Sequence, residues 1–175
     1  VTITADSDSK TYDGTPLTND SYTSTLLAAE DFIESVTVAG SQTIVGSSDN
    51  VPSDAVIKNS NGENVTANYD ITYANGTLTV NRMEVTITAD SDMKEYDGTP
   101  LTNDSYTSTL LAEGDHIESV TVAGSQTDAG TSDNVPSAAI IKNSIDEDVT
   151  ANYDITYVNG TLIVMSNEEI LSIDD

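Results

Sequence analysis

Short runs in which β-branched residues alternate with polar ones dominate the chain. Val1–Thr4 (VTIT) and Ser35–Gly40 (SVTVAG) alternate with period two, as a strand with one buried face does. Ala55–Lys58 (AVIK) reads as a further strand. A short one is expected around Lys10–Tyr12, closed by a tight turn at Asp13-Gly14-Thr15-Pro16. Tyr69–Ala74 and Thr77–Val80 alternate on either side of Asn75-Gly76. Asn-Gly between two such runs predicts a hairpin with a type I′ turn, which needs positive φ at both central residues. Ile71 and Tyr73 would then share one strand face, and Leu78 and Val80 one face of its partner. Leu26-Leu27-Ala28-Ala29-Glu30 instead holds good helix formers and predicts a helical turn or two. The expected core is Val1, Ile3, Leu17, Leu26, Val36, Val38, Ile57, Ile71, Leu78 and Val80.

The whole pattern then begins again. Val85 opens VTITADSDMKEYDGTPLTNDSYTSTLLA where Val1 opens VTITADSDSKTYDGTPLTNDSYTSTLLA, at an offset of 84 residues. The copies align without a gap and differ at 18 positions, and the counterpart of each core residue belongs to the expected core as well. So long a period marks a tandem array of small domains, because thin solenoid repeats are shorter and cannot fold alone. The predicted fold is mainly β: two small β-sandwich or β-grasp-like domains, residues 1–84 and 85–168, lying end to end. Each would hold six or seven short strands and at most one short helix. Glu113-Gly114 stands where the first copy has Ala29-Glu30, and glycine is costly within a helix. Only Asn81-Arg82-Met83-Glu84 separates the last strand of one copy from the first of the next. That segment lacks the composition of a flexible linker, so a stiff joint and an elongated rod are expected. Residues 169–175 diverge from the repeat opening, as a tail or the start of another segment.

Charge narrows the function classes. The chain carries 30 acidic and 5 basic residues, a net charge of −25. Phosphate backbones and anionic membranes are bound by clustered Lys and Arg, which are lacking here. Such acidity suits a solvated, self-repelling surface. The absence of cysteine excludes disulfides, thiolate zinc sites and Cys nucleophiles. No apolar run approaches the ~18 residues of a membrane span; the longest are short, such as Ala138–Ile141. Val1 opens directly in a strand-like pattern, so the chain reads as a segment excised from a longer protein.

Candidate chemistry is sparse. His116 is the single histidine, and the first copy has Phe32 in its place, which argues against an essential base or ligand. Asp6 with Asp8, Asp146 with Asp148, and Asp49 near Asp54 invite a calcium reading. However, Lys10 stands where an oxygen ligand is wanted, Asp54 becomes Ala138, and Asp146 replaces Gly62. Solvated loop carboxylates account better for them. Lys10 and Lys58, with Lys94 and Lys142, could in principle cross-link to Asn68 and Asn152, but surface placement is the simpler expectation. Each copy has four tyrosines (Tyr12, Tyr22, Tyr69 and Tyr73; Tyr96, Tyr106, Tyr153 and Tyr157). They could stack on sugars, although in a small β domain without tryptophan they more often plug the core.

Two stretches carry a family likeness. Tyr12-Asp13-Gly14-Thr15-Pro16-Leu17-Thr18 and Val65–Val80, repeated at Tyr96–Thr102 and Val149–Val164, resemble the ends of YDG/MBG-type repeat domains. Leu111–Asp115 and Gly124–Gly130 resemble that family's middle, and the first copy departs from it at Ala29-Glu30 and Ile44-Val45. The resemblance implies tandem modules of bacterial cell-surface adhesins, similar to streptococcal high-identity tandem repeat stalks, with some relatives labelled mucin-binding. It implies an extracellular, wall-anchored setting, with the anchor elsewhere, and supplies no catalytic residue. The expected function is a non-catalytic spacer that projects a distal binding domain; the alternative is a mucin- or carbohydrate-binding module acting by avidity. No catalytic, cofactor-binding or metal-ligating residue is assigned and no cofactor is expected. The expected partners are neighbouring repeats in the same chain, with a host glycan or mucin under the alternative. Nucleic acid and membrane insertion are not expected, and the chain should be monomeric.

Overall fold

A computed structural model describes residues 1–167. The chain divides between Arg82 and Met83 into two units. The first contains β1 (Thr2–Ala5), β2 (Asp8–Thr11), β3 (Tyr22–Ser24), β4 (Phe32–Ala39), β5 (Gly46–Lys58), β6 (Thr72–Ala74) and β7 (Gly76–Asn81). The second repeats the set as β8 (Met83–Ala89), β9 (Asp92–Glu95), β10 (Tyr106–Ser108), β11 (His116–Ala123), β12 (Gly130–Lys142), β13 (Tyr153–Val158) and β14 (Gly160–Met165). The fold is mainly β. Among the described residues the helical elements are two short 3-10 turns, Thr66–Asn68 and Thr150–Asn152. The residues past 167, which include the divergent tail, lie outside the described part.

Each unit has a three-stranded and a four-stranded sheet, ordered β3-β1-β6 and β2-β7-β5-β4 in the first. Alternation sets the buried faces. Ile3 and Ala5 of β1, and Leu78 and Val80 of β7, are buried, while Thr2 and Thr77 are not. β5 packs against β1 and β6 of the other sheet and contributes Ala55 and Ile57. It is long enough to serve two partners, pairing with β7 over Gly46–Asn50 and with β4 over Val51–Lys58. Thr37 faces Ser53 and Ser35 faces Val56, so β5 carries an extra residue there. Asp54 takes it up at φ 52°, a β-bulge that re-aims the strand.

Three expectations are corrected. The Asn75-Gly76 hairpin does not form: β6 pairs in parallel with β1 and β7 in parallel with β2, and neither Asn75 nor Gly76 has positive φ. The segment runs on extended and passes from one sheet into the other, and Asn159-Gly160 does the same. Leu26–Glu30 forms no helix; it ends in a turn with Glu30 at φ 69°, and its counterpart Gly114 lies at φ 86°. Leu26, expected in the core, is 96% exposed on that loop, as is Leu110 at 86%. Val1, Val36, Val38 and Ile71 are only half-buried, whereas Ile3, Leu17, Ile57, Leu78 and Val80 are buried as expected.

Candidate functional site

Pairing of the first and last strands is the feature that organises each unit. Thr2 to Thr4 face Thr72 to Ala74, and Asp8 to Thr11 face Leu78 to Asn81, all in the same direction. The ladder is closed at one end by the Val1 amine donating to the Asp70 carbonyl (2.7 Å) and the Thr72 N–H donating to the Val1 carbonyl (2.9 Å). At the other end the Tyr12 N–H donates to the Asn81 carbonyl at 2.8 Å.

Midway, both segments switch sheets together at Asp6-Ser7 and Asn75-Gly76. The backbones touch there: a Cβ on Gly76 would meet the Ala5 carbonyl oxygen at 2.6 Å and overlap that of Asp6. This close approach, rather than turn geometry, is what requires glycine. The Thr77 N–H bridges the gap by donating to Ser7 Oγ at 3.0 Å. Beneath it lies Asn50, fully buried, whose Nδ2 donates to the carbonyls of Asp6 (3.0 Å) and Asn19 (2.8 Å). Its Oδ1 has no hydrogen-bond partner and lies where a Cβ on Gly40 would come within 2.8 Å of it. The second unit repeats the arrangement with Asn134 on Asp90 and Asn103, and with Thr161 on Ser91. Sequence reasoning missed Asn50 and Asn134. The only signal was an amide among the small polar residues of a strand that was itself not read.

Lys10 is not a loose surface lysine. Its side chain is 20% exposed, and its ammonium donates to Asp13 Oδ1 (2.6 Å), the Thr15 carbonyl (2.6 Å) and Thr15 Oγ1 (2.7 Å). Three donors meet three acceptors and pin the Asp13–Thr15 turn onto β2. The hydrogen bond from Lys10, with those from Thr15, holds the Asp13 carboxyl at about 2. Lys94 lowers Asp97 in the same way. Lys58 pairs with Glu34 at 3.1 Å and Lys142 with Glu118 at 3.5 Å, so the lysines answer carboxylates.

The tyrosines serve the backbone. Tyr69 Oη donates to Asp31 Oδ2 at 2.6 Å and accepts from the Ala28 N–H at 3.1 Å, which fastens the Leu26 loop. The bond to Asp31, followed by burial, raises the Tyr69 phenol. Tyr73 Oη accepts the Ala55 N–H (2.9 Å) beside the Asp54 bulge. Tyr153 and Tyr157 repeat both arrangements. Tyr12 is buried and Tyr22 is half-buried.

The remaining candidates disperse. His116 is half-exposed on β11, with Nε2 3.7 Å from Glu118 Oε2. Among the described residues no three His, Cys, Asp or Glu side chains gather as a metal site. The acidic pairs act locally instead. Asp8 Oδ1 accepts the Ser9 N–H, Asp49 Oδ2 accepts Asn75 Nδ2, and Asp148 Oδ1 accepts the Thr150 N–H; the Thr150 hydroxyl, followed by that N–H, lowers Asp148. An open hollow of about 320 Å³ is lined by Ser7, Asp8, Ser9, Thr77 and Thr79, with no aromatic face for a sugar.

Paired mixed sheets joined by parallel terminal strands, and repeated in tandem, define a small β repeat module. Residues 85–163 match the family model of the MBG domain (YGX type), and the second repeat is thus a YDG/MBG-type repeat domain. The first repeat, so similar in sequence, has the same strand order. No curated protein matches the chain.

Proposed function

We propose that the two units are non-catalytic stalk repeats of a bacterial surface adhesin, extracellular and anchored through a segment elsewhere, which hold a distal binding domain away from the cell. The observation that carries this reading is the parallel pairing of first and last strands. The polypeptide enters each unit at one end of that pair and leaves at the other, so every repeat adds length rather than folding the path back. A single residue, Arg82, separates β7 from β8, so the chain passes from one unit to the next without a flexible linker. The side chains best suited to chemistry hold the fold: lysines clamp turns, tyrosine hydroxyls fasten loops, and carboxylates cap backbone N–H groups. The MBG match supports a repeat-domain role, and the net charge of −25 would limit adhesion between neighbouring molecules.

Glycan-array binding of this chain tests the proposal. Spacer repeats should give signals no higher than an unrelated acidic protein on mucin-type and other host glycans. Selective, dose-dependent binding to a glycan class would overturn the spacer reading in favour of a carbohydrate-binding module gaining strength from repetition.

A further inference from the structure

A chain that holds something at a distance is pulled from its two ends, and the fold determines how that pull is met. In the first unit the force arrives at the start of β1 and leaves at the end of β7. Those segments lie side by side and run the same way, from Thr2 beside Thr72 to Thr11 beside Asn81. Pulling them apart from opposite ends slides one along the other, across the direction of their hydrogen bonds. Every bond of the ladder then shares the load at once, whereas strands pulled from the same end open one bond at a time.

We propose that each unit is a force-resisting clamp in which the parallel first and last strands, stitched at their sheet crossing, are sheared rather than peeled. The crossing is where such a ladder would otherwise be weakest, since the pairing between β1 and β6 ends before that between β2 and β7 begins. That gap is stitched. Gly76 brings the backbones into contact, the Thr77 N–H reaches Ser7 Oγ at 3.0 Å, and Asn50 holds the Asp6 carbonyl from below. Lys10 then ties β2 to the turn that follows it. In the second unit the clamp runs from Met83 beside Tyr153 to Glu95 beside Met165, with Thr161 on Ser91 at 2.9 Å as its stitch. The inference takes its loading direction from the stalk reading, and its mechanics from pairing inside each unit.

Single-molecule force spectroscopy on the whole chain tests it. The chain has no cysteine, so Asp70→Cys supplies a unique handle beside the start of β1. Pulling between the two chain ends loads both clamps in shear; pulling between the N-terminus and residue 70 peels β1 from β6. The expected result is a severalfold higher unfolding force in shear than in the peel. Equal or lower force in shear overturns the clamp. Ser7→Ala removes the acceptor of Thr77 and should lower the first unit's shear force, with the unaltered second unit as reference in the same trace. An unchanged force overturns the stitching role of the crossing. Glycan binding would defeat the stalk reading while leaving the force comparison intact, so the two failures are distinguishable.

Discussion

At the residue scale, three differences between the copies fall on left-handed backbone. Glu30 (φ 69°) corresponds to Gly114 (φ 86°), Asp54 (φ 52°) to Ala138 (φ 51°), and Gly62 (φ 80°) to Asp146 (φ 63°). A Cβ at such positions crowds the following carbonyl, which Asp tolerates better than Ala or Glu. Glu30→Gly should therefore stabilise the first unit and Ala138→Gly the second. Relieving the strain outweighs glycine's greater chain entropy, for a net gain of about 0.5–1 kcal/mol each. Urea unfolding of each variant checks this; a lower midpoint would show that the bulge or turn is not strained. The sequence showed these positions without disclosing their meaning. Gly114 read as a weakened helix because the helix formers around it outvoted a lone glycine, although glycine was marking a turn.

The Asp13 clamp adds an acid-sensitive element. Its carboxyl is lowered from 3.8 to about 2, chiefly by the hydrogen bond from Lys10. A lowered folded-state value means the contribution is complete above the ordinary carboxylate range and disappears as pH falls through about 2. Asp13→Asn should flatten the first unit's loss of stability between those two values, as read by denaturant unfolding at stepped pH. A slope equal to that of the parent would show that the clamp does not couple to folding.

At the element scale, strands were legible and their partners were not. Alternation located β1, β4, β6, β7 and the second half of β5, and the short strand expected around Lys10–Tyr12 overlaps β2. Tyr22–Ser24 and the first half of β5, rich in Ser, Asp and Asn, gave no such signal. Asn75-Gly76 was legible as a place needing glycine, but tight turn and close backbone approach both need it. Parallel pairing across some seventy residues leaves no local trace that could separate them. The same topology protects against misfolding. Near-identical neighbours invite strand exchange. Exchange within the chain would oblige β6–β7 to pair in parallel with β8–β9 across Arg82 alone. A parallel pair needs a crossover of about a dozen residues or more. Refolding should thus yield two separate unfolding events in every molecule. A Gly/Ser insertion of ~20 residues after Arg82 should permit a fraction with one merged, longer event. Merged events in the parent chain would contradict the pairing.

At the scale of the molecule, the repeat was the most legible feature, since its 84-residue period needs no structural knowledge. Function was less so. A spacer of the kind proposed would offer no constellation of reactive groups to find, and its working parts would be backbone pairs and buried amides such as Asn50. The central claim is that each repeat adds length, and small-angle X-ray scattering tests it most directly by comparing residues 1–82 alone with the whole chain. The account predicts a maximum dimension that nearly doubles with the second unit. Added salt should change it little if the short covalent joint, rather than repulsion between acidic surfaces, sets that dimension. A maximum dimension near that of one unit, with the globular profile of a compact pair, would contradict the account.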